Sequence, residues 1–406
     1  MSGVQAAARR AQRGVFYLLA FMVPISKAVI EVAFLLLLIG WLVEHLPDGW
    51  RSSVWRGRGG RWCLAALGAY VGICALSILT STYPRLSLHG FINKTLEWAL
   101  YFVIAADVAK EPGVAKRCLL IMMASAFVVS LDGVVQEVFG IDVLLGHRRF
   151  YHAMTGPYEN PIDLATYLIV LIPIVFSQWA DSPKGRRRVQ GFLALFLLGC
   201  LIRTESQGAW LGLFGGFCVF ALLRKTVRKM ALVLCLSLVV CGGLYLQSQG
   251  RLMKRMQLED SGKRERVYMW RSAWHMVKDR PLLGQGLNTF MANYLKYWVG
   301  GEQQPRYAHN CFLQITAETG IAGLMTFLAL LGTMLWSWWK ALRWRPDQRQ
   351  ATSMILGIGT GLIAFLIQSA FDTNFYALRQ AALFWVLAGV ATGLSVQALR
   401  DSSQPT

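Results

Sequence analysis

The chain has 406 residues, 55% of them hydrophobic, with a mean hydropathy of +0.42, which is too apolar for a soluble protein and matches a polytopic membrane protein. A net charge of +19 would suggest nucleic acid in a soluble chain. Here the positive-inside rule explains it more simply, cationic loops also attract phosphorylated lipids, and nucleic acid is set aside as a partner.

Arg9, Arg10 and Arg13 lead into an apolar stretch without a small-residue cleavage site, so no cleavable signal peptide is expected. Twelve apolar spans follow, at 15–26, 28–46, 62–80, 88–109, 115–138, 161–179, 189–203, 207–223, 230–247, 310–339, 352–371 and 379–398. The first two are short and separated only by Pro24-Ile-Ser-Lys27, so they form either a tight hairpin or one broken helix. The expected fold is an all-α integral membrane protein, a single polytopic domain over 1–406 with one large structured outer loop at 248–309. With a cytoplasmic N-terminus, the inner segments carry 23 Lys and Arg, the short outer segments 7, and the 248–309 loop the remaining 11 of 41. Long loops weigh little in this rule, so the split favours both termini inside and the long loop outside. The eight cysteines lie in or at the ends of apolar runs without a Cys-X-X-Cys pair, which indicates neither a disulfide framework nor a zinc site.

The long loop is rich in aromatic residues. Val267, Trp270, Trp274 and Val277 recur at helical spacing and predict an amphipathic helix over about 263–279, ended by Pro281 and Gly284. Phe290, Tyr294, Tyr297 and Trp298 suggest a second, short helix. Arg148, Arg149, Arg203, Arg266 and Arg306 all fall on the expected outer face. Any one outward arginine is most simply a head-group contact. Their convergence suits a pyrophosphate, which needs several cations and the bidentate geometry of guanidinium.

His309 opens or precedes a helix. The helix dipole and the nearby arginines disfavour imidazolium and keep the ring neutral, as a general base requires; the alternative is a capping histidine beside Asn310. Glu318, nine residues on, falls on nearly the opposite helix face, so a structural bond to another helix is its expected role, with Gly320 and Gly323 permitting close helix contact. Asn160, before Pro161, reads as a helix cap by default and as a substrate contact otherwise. Arg203 and Gln207 are four apart and would share a face on a continuing helix. The eleven aspartates are never two apart, and neither a Walker A loop nor His-Glu-X-X-His occurs, so no metal site is expected.

Three blocks together carry a resemblance. Arg266-Val-Tyr-Met-Trp270 is followed by Arg280-Pro-Leu-Leu-Gly-Gln-Gly286 and by His309-Asn-Cys-Phe-Leu-Gln-Ile-Thr-Ala-Glu318-Thr-Gly320-Ile-Ala-Gly323. With Thr155-Gly-Pro-Tyr-Glu-Asn160-Pro161 and Ser206-Gln-Gly-Ala-Trp-Leu-Gly212, this pattern resembles the O-antigen ligase and polymerase superfamily. The resemblance implies a metal-independent, cofactor-free glycosyltransferase of the multispanning, lipid-donor type. For a ligase, its donor is an undecaprenyl-pyrophosphate-linked O-antigen and its acceptor a sugar of lipid A-core, at the periplasmic face of the bacterial inner membrane. It puts His309 at the family's essential histidine and Arg266 at its loop arginine. Where the family carries Ser-Arg-Gly this chain has Ser206-Gln207-Gly208, and Arg203, one turn earlier, is the candidate replacement.

The expected site therefore has His309, Arg266 and Arg203 in catalysis, with Arg148, Arg149, Arg306, Asn160 and Gln207 binding substrate. The alternatives are an O-antigen polymerase with the same base and cations and a non-enzymatic flippase of lipid-linked glycans. The flippase fits less well, because charges within the spans are sparse (Glu31, Glu97, Asp107, Glu137, Glu318) and the cations gather on one face.

Overall fold

The computed structural model describes residues 3–46, 54–150, 152–223, 261–344 and 347–400, with a few helical positions between 236 and 247. The regular secondary structure among the described residues is helical apart from two isolated bridges, Ile141 with Arg148 and Phe150 with Ala153. In chain order the helices are α1 (Gly3–Met22), α2 (Lys27–His45), α3 (Arg58–Leu79), α4 (Pro84–Gly90), a π-helical turn (Phe91–Leu96), α5 (Glu97–Val108), α6 (Pro112–Phe139), α7 (Pro161–Asp181), α8 (Lys184–Arg203), α9 (Gln207–Leu223), α10 (Ser261–Asp279), α11 (Phe290–Tyr294), α12 (Cys311–Trp344), α13 (Arg349–Gln368) and α14 (Leu378–Arg400).

Among the described residues, seven helices are long and apolar enough to cross a membrane: α2, residues 59–79 of α3, α6, α7, α12, α13 and α14. The helix α9 is apolar but shorter, at 17 residues. The helices α1 and α8 coincide with expected spans, yet carry arginines in their first halves, which lowers their apolarity. The expected span 230–247 lies outside the described residues except for those few helical positions. Val32, Leu35, Leu36 and Ile39 of α2 and Phe192 and Leu195 of α8 stand uncovered. An outward apolar surface of this kind suits a hydrocarbon surround and not water.

The first two spans form a hairpin rather than one broken helix. Ser26 caps α2, and Gln12 Nε2 donates to Leu37 O at 3.1 Å across the pair. The helices α7 and α14 are the most enclosed. They pack closely because small residues face backbone: a Cβ on Gly361 of α13 would strike the Val170 carbonyl of α7, and one on Gly393 of α14 would strike the Ala106 carbonyl of α5.

At 34 residues α12 is longer than a bilayer core requires, and it is broken at Gly320, whose φ of 72° lies in the left-handed region. The loop segment 281–286 docks on the break. Gln285 N donates to Ala317 O and Gly286 N to Glu318 O, both at 2.9 Å, and Ile321 N donates to Pro281 O at 2.8 Å, so backbone groups released by the break find partners. A Cβ at Gly320 would collide with the Leu282 carbonyl. This corrects the sequence expectation for the glycines: Gly320 receives the loop, not a helix, and the space at Gly323 is filled by Thr319 of the preceding turn.

The amphipathic loop helix is present as α10, and the aromatic segment folds as α11 with a 3-10 turn at Leu295–Tyr297. Met269, Ala273, Met276 and Val277 pack with Phe290, Tyr294, Ala308 and Ala317, whereas Val267 and Trp274 are exposed. Of the four residues that set the helical spacing, Val277 is thus buried, Trp270 is half-buried, and Val267 and Trp274 face outward, as in helices at a water–lipid boundary.

Several chain turns meet at one end of the bundle. Arg379 Nη1 donates to Pro157 O at 2.8 Å and to Pro24 O at 3.3 Å, Met154 N to Arg203 O at 3.0 Å, and Thr80 Oγ1 to Gly284 O at 3.3 Å. The turns before α2, after α3, after α6, after α8 and after α13 therefore surround the docked loop. At the opposite end lie the Arg9–Glu44 and Arg13–Glu111 pairs and the buried Asp107, which accepts from Val54 N at 2.7 Å.

Candidate active site

His309 stands two residues before α12. Asn310 caps that helix, its Oδ1 accepting from Leu313 N at 3.0 Å, and Gln314 Oε1 accepts from Ala308 N at 3.1 Å. His309 itself has a φ of 46°, a left-handed conformation that histidine adopts more readily than most residues but that still needs support. Support comes from the turn between α13 and α14. Cys311 N donates to Ser369 O at 2.8 Å, Cys311 Sγ to Asp372 O at 3.1 Å, and Asp372 Oδ1 lies 3.0 Å from His309 Nδ1 while also accepting from Thr373 N at 2.8 Å.

A carboxylate only accepts, so in the neutral ring Nδ1 is the nitrogen that carries the proton and Nε2 the one with the lone pair. The imidazole side chain is 34% exposed and the carboxylate 13%, which leaves the ring reachable while its partner is covered. Sequence reading did not single out Asp372. It correctly excluded Glu318 as the orienting acid: that carboxylate bonds to the loop backbone at Asn288 N (2.9 Å) and Phe290 N (3.2 Å) and to the Tyr376 hydroxyl (2.9 Å).

Two of the expected cations converge on a second unanticipated acid. Arg203 Nε lies 2.8 Å from both oxygens of Glu137, its Nη2 is 2.6 Å from one of them, and Arg149 Nη2 is 3.3 Å from the same oxygen. The three charges sum to +1, so the cluster is far less cationic than two arginines alone. The helix does not continue from Arg203 to Gln207, in keeping with the expected span boundaries at 203 and 207, so the two residues do not share a helix face. It ends at Arg203, Glu205 turns with a φ of 56°, and α9 starts at Gln207. Gln207 is exposed, and its neighbour Gly208 abuts Phe371, the residue before Asp372, so this turn borders the His309 pair.

The remaining residues divide. Arg306 pairs with Glu302, whose backbone N–H donates to Glu265 Oε2 at 3.0 Å, which brings Arg306 to the part of α10 that carries the half-buried Arg266. Arg148 is exposed beside its bridge to Ile141. Asn160 caps α7, its Oδ1 accepting from Ile162 N at 2.8 Å, which is the default sequence reading.

The Thr155-Gly156 turn is folded by Gln136, which accepts from Thr155 N at 3.0 Å and Gly156 N at 3.1 Å. Downstream, Gln380 Nε2 donates to Asp163 O at 2.8 Å, and Asp163 is within electrostatic reach of Asp372, Arg379 and Lys27. The start of α7 thus forms another wall around the α13–α14 turn.

A family model described as O-antigen ligase matches residues 192–328, a segment that includes Arg203, Arg266 and His309 but not Asp372. Among curated proteins, the chain is 24% identical over 337 residues to the exopolysaccharide production protein ExoQ of Rhizobium meliloti, covering 73% of this chain and 70% of that one. It is 22% identical to the teichuronic acid biosynthesis protein TuaE of Bacillus subtilis, over 62% of this chain and about half (54%) of that one. It is likewise 22% identical to an O-antigen ligase of Salmonella typhimurium, over 65% of this chain and 67% of that one. By this match and these relatives, the chain is similar to the O-antigen ligase superfamily, most directly over residues 192–328.

Proposed function

We propose that the protein is an O-antigen ligase of the bacterial inner membrane. It transfers a glycan from undecaprenyl pyrophosphate to a sugar hydroxyl of lipid A-core, at the periplasmic face. The observation that carries this reading is the His309–Asp372 pair, an accessible imidazole with its Nδ1 proton held by a covered carboxylate. His309 Nε2 removes the proton from the acceptor hydroxyl. The acceptor oxygen then forms its bond to the anomeric carbon as the bond from that carbon to the pyrophosphate oxygen breaks, with inversion. Asp372 offsets the positive charge gained by the ring.

Undecaprenyl pyrophosphate leaves with its charge countered by arginine. Arg203 and Arg149, aligned by Glu137, and Arg266, with Arg306 nearby, are the candidate cations. Gln207 lines the same turn, and Arg148 is positioned for a more distant phosphate. No step calls on a metal or cofactor.

A second reading, a polymerase joining lipid-linked repeat units, is favoured by the relatives whose names refer to exopolysaccharide production and teichuronic acid biosynthesis. One assay separates the readings. Purified protein is mixed with lipid-linked O-antigen and lipid A-core in the presence of EDTA. The ligase reading expects glycan on the core, a polymerase lengthens the lipid-linked chains, and a flippase gives transbilayer movement without transfer.

A further inference from the structure

Glu318 has no part in the proton transfer or the cation sites, yet it is only 1% exposed. A carboxylate enclosed in a membrane helix needs hydrogen-bond partners, and those of Glu318 come from several separate elements. Oε2 accepts from Asn288 N and from the Tyr376 hydroxyl, both at 2.9 Å, and Oε1 accepts from Phe290 N at 3.2 Å and from Gln314 Nε2 at 3.4 Å. Lys94, in the π-helical turn, is the cation within its electrostatic reach. Lys94 Nζ donates to Asn288 Oδ1 at 2.8 Å and lies 5.3 Å from the Tyr376 ring centroid. A π-turn inside a helix is itself a feature found disproportionately at functional sites.

Tyr376 links this network to the candidate active site from two directions. It follows Asp372 by four residues, in the 3-10 turn Asn374–Tyr376. Its ring packs on Tyr307, with centroids 5.6 Å apart, two residues before His309. His309 and Asp372 are 63 residues apart in sequence, and the histidine is held in a left-handed conformation, so their alignment depends on how these two segments are fixed.

We infer that Glu318 and Tyr376 form a positioning unit for the reaction: through the Tyr376 hydroxyl the buried carboxylate fixes the Asp372 turn, and through Asn288 and Phe290 it fixes the loop that delivers His309. The unit touches no substrate, and its Tyr376 arm acts through Asp372. This rests on the proposed base role of His309. A misplacement of about 1 Å in a catalytic group costs on the order of a hundredfold, so loss of one anchoring hydroxyl is readable in turnover.

The test uses Tyr376→Phe, which keeps the ring and removes only the anchoring O–H. The full-length protein is reconstituted in vesicles with lipid-linked O-antigen and lipid A-core, and Glu318→Gln is read in the same way should Tyr376→Phe fail to accumulate. The expected result is a fall in kcat of about tenfold with donor KM within about twofold of wild type. In an Asp372→Asn background the same substitution costs less than about twofold further, because its effect passes through that carboxylate. Wild-type kcat in Tyr376→Phe, or a full tenfold loss in both backgrounds, overturns the inference. His309→Ala is assayed alongside. If it transfers at the wild-type rate, the base reading fails and takes the inference with it; if it is inactive while Tyr376→Phe is unimpaired, only the positioning role is lost.

Discussion

The two charged centres at this end of the bundle are built differently. In the His309–Asp372 pair, a covered carboxylate engages one nitrogen of a reachable ring and leaves the other nitrogen available. In the Arg203–Arg149–Glu137 cluster, the carboxylate engages both guanidinium groups and removes half of their summed charge. The first arrangement suits a group that must accept and release a proton. The second suits groups that must hold a fixed orientation towards an anion, with Glu137 preventing their collapse onto other acceptors. Residues that looked equivalent as outward cations and bases in the sequence are thus distinguished by what the fold places behind them.

Substitutions can break this contrast. Short of removing the ring itself, the largest effect is expected for Asp372→Asn, which loses charge compensation and tautomer control. Transfer should fall about a hundredfold while the protein still folds, as measured by initial rates at matched protein amounts. Arg203→Gln should lower kcat/KM for the lipid-linked donor by about tenfold, whereas Glu137→Gln, which leaves both guanidinium groups in place, should lower it only about threefold. A wild-type kcat/KM for the donor in Glu137→Gln would contradict an orienting role for Glu137.

Asn160→Ala removes a helix cap. It should cost about 1 kcal/mol of stability, seen as a lower Tm, with little loss of turnover per folded molecule. The smallest effect concerns pH. The Tyr297 hydroxyl, 2.5 Å away, and then the Gln285 amide hold the Asp279 carboxyl below its ordinary range. A depressed folded value stabilises the fold above the unfolded pKa of about 3.9, and that contribution is lost as pH falls through the lower folded value. Hydrogen exchange around 290–298 should therefore rise only under such acid conditions, and Asp279→Asn should abolish the dependence.

Much of the architecture was legible because it is local. Apolar runs of membrane length and the aromatic periodicity of 263–279 depend on neighbouring residues alone, and the helices appear at those places wherever the chain is described. Which face of α10 meets the protein was not legible, because Val267 and Trp274 repeat as regularly as the buried Met269, Ala273 and Met276, and periodicity alone does not distinguish them. The placement of His309 at a helix start was legible. Its contact with Asp372 was not, since it forms only when the turn after α13 meets the start of α12. Glu137, similarly, read as a stray charge near the end of a span until the chain brought Arg149 and Arg203 to it. Gly320 signalled a close approach correctly, but the approaching partner was a loop about 35 residues earlier, which spacing alone could not identify.

The central claim, that His309 is the base for glycan transfer, is tested most directly by one rate. His309→Ala is reconstituted in vesicles at the same density and orientation as wild type, with lipid-linked O-antigen and lipid A-core supplied. The account predicts that transfer falls at least about a thousandfold, while helical content and membrane insertion are retained. A rate within tenfold of wild type would contradict it.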